Sequence, residues 1–130
     1  MAKNVSIDLL DAVENNDKEK VMLALAQGAD VNHQLKSGKS ALILASESGL
    51  VKIAEILLTF PVNIDLQDKE GSTALVYAAM NGQEAIVKML LEAGANVNLK
   101  NKYGNSPLKK ARVTNHKKIE DILTAAGAEE

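Results

Sequence analysis

Residues 71–98 read Gly-Ser-Thr-Ala-Leu-Val-Tyr-Ala-Ala-Met-Asn-Gly-Gln-Glu-Ala-Ile-Val-Lys-Met-Leu-Leu-Glu-Ala-Gly-Ala-Asn-Val-Asn. Two short helices fit into this stretch. Thr73 is a suitable N-cap, because its hydroxyl can accept an otherwise orphaned amide. The run after it carries small residues on one side. Asn81-Gly82 breaks that run, since both residue types tolerate the left-handed backbone of a tight turn. Glu84 to Glu92 then predicts a second helix, with Ile86, Val87, Leu90 and Leu91 at helical spacing. Ala93-Gly94 ends it, and the polar, turn-rich segment from Asn96 to Gly104 leads onward.

The same text recurs every 33 residues. Gly38, Gly71 and Gly104 share one column, Ser40, Thr73 and Ser106 the next, then Leu42, Leu75 and Leu108, and Ala45, Ala78 and Ala111. Gly28, Pro61, Gly94 and Gly127 form another register, as do Asn32, Asp65 and Asn98. A period of this length predicts stacked supersecondary units, each too small to bury its own apolar face. Such a stack usually presents a surface.

Residues 71–82 and 85–98 closely resemble an ankyrin repeat. The family's Thr-Pro-Leu-His motif appears as Ser40-Ala-Leu-Ile, Thr73-Ala-Leu-Val and Ser106-Pro-Leu-Lys, so the histidine is missing and the proline survives only as Pro107. Its absence removes a side-chain network that usually ties neighbouring loops. The glycine, leucine, alanine and closing Gly-Ala-Asx-Val-Asn columns agree over about residues 6–128. The resemblance implies an all-α solenoid of helix-turn-helix units joined by short β-hairpin-like loops.

A single domain of four units is expected, at residues 5–34, 35–67, 68–100 and 101–128. The first lacks an entry hairpin and opens with a helix at Asp8–Glu14. Lys20 stands where the others have Ile53, Ile86 and Ile119, as suits a cap that meets water. Lys109 and Lys110 replace Ile43/Val76 and Leu44/Tyr77 in the last unit. With both ends charged, the chain is expected to be a complete small solenoid. Pro61 cannot reach the positive φ expected at Gly28, Gly94 and Gly127, so the second unit's outer helix must end differently, with Phe60 tucked nearby. A bent, partner-shaped stack is the alternative.

The aromatics are Phe60, Tyr77 and Tyr103, so the core is built from Ala, Leu, Ile and Val. Cysteine is absent, which excludes disulfides. No apolar run approaches membrane-spanning length and no leader is legible, so the expected location is the cytoplasm, or the nucleus in a eukaryote. Asn4-Val-Ser6 matches a glycosylation sequon by chance. Residues 1–92 carry eight Lys/Arg against thirteen Asp/Glu, and residues 93–130 seven against four. The basic end is either a solvated cap or a surface that orients an acidic partner. The net charge of −2 and a single nearby aromatic argue against nucleic acid.

Catalytic chemistry finds no support. His33 and His116 fall in the first and fourth units and read as surface loop residues, and no cysteine joins them as a zinc ligand. Gly38-Lys39-Ser40 lacks the glycine that a phosphate loop needs at position 33. Asp65 and Asp68 are loop residues in repeated columns. No enzyme, cofactor or metal is expected.

Recognition remains. In the ankyrin family a partner usually meets the hairpin tips and the exposed face of the first helices. Carried over, the tips supply Lys36, Ser37 and Lys39, then Lys69, Glu70 and Ser72, then Lys102, Tyr103 and Asn105. The helix ends add Glu47, Ser48, Met80, Asn81, Val113 and Thr114. Lys36, Lys69 and Lys102 form a ladder of cations along one edge. Tyr103 aligns with Ser37 and Glu70, and Met80 with Glu47, so burial by the repeat does not demand either. Tyr77 aligns with Leu44 and reads as packing. The outer face, with Glu55, Lys88 and Glu92, reads as solvated charge. The expectation is a non-enzymatic protein-binding module, monomeric when free, acting as adaptor, inhibitor or assembly factor. A permanent subunit of a larger complex and an enzyme with an unrecognised site are the alternatives.

Overall fold

The computed structural model describes residues 4–129. Eight helices lie among them: α1 Val5–Glu14, α2 Lys18–Ala26, α3 Ala41–Ser48, α4 Val51–Leu58, α5 Ala74–Met80, α6 Glu84–Glu92, α7 Pro107–Val113 and α8 Lys117–Ala125. The odd-numbered helices stack in series as one layer, and the even-numbered helices form a second layer behind them.

The caps explain where the first-layer helices begin. Ser40, Thr73 and Ser106 have extended backbones, and each hydroxyl accepts the amide three residues on. Pro107 occupies the first turn, where an amide proton has no partner to lose. Helix α1 starts three residues before the Asp8 expected from sequence. The Asn4 side chain accepts from Ser6 N at 3.1 Å and Ile7 N at 3.2 Å, so the residue of the chance sequon is a cap.

Packing follows the repeated columns. Leu9, Leu42, Leu75 and Leu108 are buried, and Ala12, Ala45, Ala78 and Ala111 lie beside them. Small residues in the alanine column let neighbouring helices approach without voids. Ile53, Ile86 and Ile119 are buried, whereas Lys20, in the same column, is exposed. Lys109 is likewise exposed where Ile43 and Val76 are buried.

Side chains in the Asn32, Asp65 and Asn98 column tie successive loops together. Their Oδ1 atoms accept from Asn63 N at 2.7 Å, Asn96 N at 2.9 Å and Glu129 N at 2.8 Å. The hairpin tips are linked by backbone, through Lys69 N to Ser37 O at 3.0 Å and Lys102 N to Glu70 O at 2.9 Å. Only the first tip closes an isolated bridge, Gln34 with Ser40, among the described residues.

Helix α4 does end differently from α6. The Thr59 hydroxyl donates to Ile56 O at 2.7 Å, and Val62 N reaches Phe60 O at 2.7 Å, turning the chain into Pro61. Phe60 is not tucked away, however. It is 38% exposed and lines a groove between the second-layer helices α2 and α4, in a column that is exposed in every helix pair, at Gln27, Ala93 and Ala126.

Candidate protein-binding face

The hairpin tips and first-layer helix ends meet on one face. The clearest proof is Lys39 on the first tip, whose Nζ reaches the two Glu47 carboxylate oxygens at 2.9 and 3.1 Å at the end of α3. The same ammonium lies 5.1 Å from the centroid of the Tyr77 ring on the neighbouring helix α5. Tyr77 in turn donates its hydroxyl to Asp68 Oδ2 at 2.5 Å. Asp68 Oδ1 accepts the amides of Glu70 at 3.0 Å and Ser72 at 2.9 Å, which fixes the second tip. A polar chain thus runs Glu47–Lys39–Tyr77–Asp68 across two helix pairs.

Reading Tyr77 as packing alone misses half its role. Its ring fills the Leu44 position, but its oxygen anchors a hairpin. Asp68 reads from sequence as a loop carboxylate, yet it is buried and accepts from three donors. The nine-residue spacing of the pair was the available signal, and it was invisible in columns that hold Leu35 with Leu44 or Asn101 with Lys110.

Burial, then the hydrogen bond to Asp68, push the Tyr77 phenol well above its ordinary value. Tyr103 is also raised, first by the neighbouring Glu70 carboxylate, which favours the protonated phenol. A raised folded-state value means that the neutral phenol supports the fold below the unfolded value near 10, and that this support is lost as pH climbs toward the folded value. In a phenolate absorbance titration of the folded protein, Tyr77 should therefore ionise well after the ordinary tyrosine value, and Tyr77→Phe should remove the later of the two transitions. Alkaline unfolding should be shallower in Tyr77→Phe than in the parent. Two ordinary tyrosine transitions would contradict the network.

Tyr103 is 64% exposed on the third tip. Its backbone is held, because Asn101 Oδ1 accepts the Tyr103 amide at 2.9 Å and the Asn105 amide at 3.0 Å. Lys102 Nζ sits 5.6 Å from the Tyr103 ring centroid and 3.7 Å from Glu70. The cation ladder is exposed at Lys36, Lys69 and Lys102, with Lys102 partly engaged by that carboxylate.

Other candidates differ in what they offer. Ser37, Ser48 and Glu70 are exposed, and Asn105 is half-buried. Asn81 is exposed but donates to Glu47 O at 3.0 Å, joining α5 to α3. Ser72 is corrected: it is 5% exposed, and its oxygen accepts from Asn101 Nδ2 at 3.1 Å, so it belongs to the frame and not to the surface. Thr114 is also spent, donating to Lys110 O at 2.6 Å and lying 2.8 Å from His116 Nδ1. His116 is not a free loop residue, since its half-buried ring packs over Gly82.

The Glu47, Met80 and Val113 column changes character along the stack. Glu47 is neutralised by Lys39, Met80 is half-buried, and Val113 is 67% exposed. Met80 therefore has an apolar neighbour in its own column, contrary to the sequence argument that singled it out. No group of three His, Cys, Asp or Glu could hold a metal among the described residues. No helix among them is long and apolar enough to cross a membrane.

The family model described as ankyrin repeats in three copies matches residues 9–101 and 62–129. With the helix pairs, caps and tips above, this places the chain in the ankyrin repeat family. The chain is also similar to the B-cell lymphoma 3 protein homolog of Mus musculus, at 48% identity over 50 residues. Those residues are 38% of this chain and 11% of that protein.

Proposed function

We propose that this chain is a non-enzymatic protein-binding module whose partner sits on the face formed by the hairpin tips and first-layer helix ends. Ankyrin repeats generally mediate contacts between proteins. The observation that carries the reading to this face is Tyr103, a large aromatic side chain 64% exposed on a backbone that Asn101 holds fixed. Tyrosine offers a stiff apolar area with a polar tip, at little cost in rotamer freedom. Val113 and Met80 supply apolar contacts at the helix ends, while Lys69 and Lys102 flank them and favour an acidic partner. Four units, monomeric until the partner binds, complete the proposal, and the cytoplasm is the simplest setting for an adaptor, inhibitor or assembly factor of this kind.

Affinity purification followed by mass spectrometry supplies the partner for the test. Tyr103→Ala should then weaken binding about fivefold or more if the residue is a hot spot. Reversing the charge of Lys69 and Lys102 should mainly slow association, with the loss shrinking at high salt. A loss confined to a Lys88→Ala/Glu92→Ala variant on the second-layer face would overturn the proposal.

A further inference from the structure

The second-layer face is not uniformly solvated charge. Between α2 and α4 lies a groove of about 380 Å³ lined by Met22, Leu25, Ala26, Ile56 and Phe60, with Glu55 at its side. Met22 is 52% exposed and Phe60 38%. Thr59 also lines the groove, but its hydroxyl is committed to Ile56 O. Glu55 is the groove's one ionisable side chain, is exposed, and makes no ion pair among the described residues.

The repeat does not ask for this groove. Met22 stands in a column whose other members are Glu55, Lys88 and Asp121. Phe60 stands in the column of Gln27, Ala93 and Ala126, which are exposed like it, and the adjacent Pro61 in a column of glycines. Two departures from the period, Met22 and Phe60, line one place, and both make it more apolar. Stack formation leaves them unexplained, because the corresponding positions of the other helix pairs fold with polar or small residues.

We infer that this groove is a second docking surface, taken by a cationic amphipathic segment of a partner protein that inserts a large apolar side chain between Met22 and Phe60 and sets a lysine or arginine beside Glu55. The charge selects this occupant. A second copy docking symmetrically through the same groove would bring two Glu55 carboxylates together as water leaves, which is costly. An anionic lipid surface would meet the same carboxylate. A basic group beside an apolar anchor satisfies both features at once. The surface lies behind the face of the tips, so this inference does not depend on the function proposed above, and together they make the protein a bivalent adaptor.

The probe is a helical model peptide of leucine and lysine, titrated against the protein with methyl and aromatic NMR detection. Saturable shifts confined to Met22, Leu25, Ile56 and Phe60 are expected. Met22→Gln/Phe60→Ala removes both large apolar contacts without changing the groove's charge, and should weaken binding at least about tenfold. Glu55→Lys, at an exposed helix site, carries the test by itself: it should weaken the leucine–lysine peptide and create binding of a leucine–glutamate peptide. Shifts scattered over other faces, or binding unchanged by these substitutions, would overturn the inference. So would a concentration-dependent dimer abolished by Met22→Gln/Phe60→Ala, which assigns the groove to a second copy, or groove-dependent binding to anionic vesicles, which assigns it to a membrane.

Discussion

Asp68→Ala should lower the unfolding free energy by about 2–4 kcal/mol, from the loss of three hydrogen bonds to an ionised acceptor partly offset by water at the tip. The carboxylate holds Glu70 N, Ser72 N and the Tyr77 hydroxyl. Truncation leaves the Ser72 amide buried without its acceptor, while water can partly replace the carboxylate at the Glu70 amide and the Tyr77 hydroxyl. Asp68→Asn is the informative contrast. Asn101, one period on, accepts the two equivalent amides with its Oδ1, so an asparagine at position 68 can keep the hairpin and should cost about 1 kcal/mol or less. Urea denaturation of the two variants decides the matter. Equal losses for Ala and Asn would mean that the acceptor geometry is not what stabilises the tip.

A graded loss is expected from valine at the three tip glycines. Gly38, Gly71 and Gly104 have φ of +85°, +80° and +78°, so each substitution incurs similar left-handed strain of about 1–2 kcal/mol. The surroundings differ. A Cβ at position 38 would lie 2.6 Å from Lys69 N, one at 71 would lie 3.0 Å from Lys102 N, and one at 104 would meet nothing within 4 Å. Gly38→Val must therefore also displace the next tip's backbone, and should cost about 3–4 kcal/mol in total, against about 1–2 for Gly104→Val. Gly71→Val should fall between them. Indistinguishable denaturation midpoints would show that the tips do not nest as described.

Local chemistry made much of this fold legible. The hydroxyl caps at Ser40, Thr73 and Ser106, the glycine ends and the span of α6 all depend on residues within one or two turns, so the linear text contains them. The start of α1 was missed because Asn4 lies outside any repeated column. What spans two helix pairs was harder to see. The bonds from Asn32, Asp65 and Asn98 join residues 31 apart, two short of the period, so column alignment alone does not pair them. Ser72 reads as a tip residue because its partner Asn101 lies 29 residues away. An apolar Phe60 suggests burial, but its column, which holds Gln27, Ala93 and Ala126 elsewhere, faces solvent in every helix pair. At the candidate face the sequence could mark columns that the stack leaves free, and not which of them its own network consumes.

The tie between neighbouring loops also governs how the protein would carry mechanical load. When the two ends are drawn apart along the stack, the junctions bear the force in series, so each feels the whole of it and the weakest yields first. The junctions are unequal. Those between the second and third and between the third and fourth helix pairs add a tip-to-tip backbone bond to the side-chain tie. The first has the Asn32–Asn63 tie but no tip-to-tip bond, since the first pair has no hairpin. Tension should therefore peel away α1 and α2 before anything else opens. The apolar groove straddles that same junction, so a segment lodged between α2 and α4 would act as a splint across the place where the stack is easiest to pull apart.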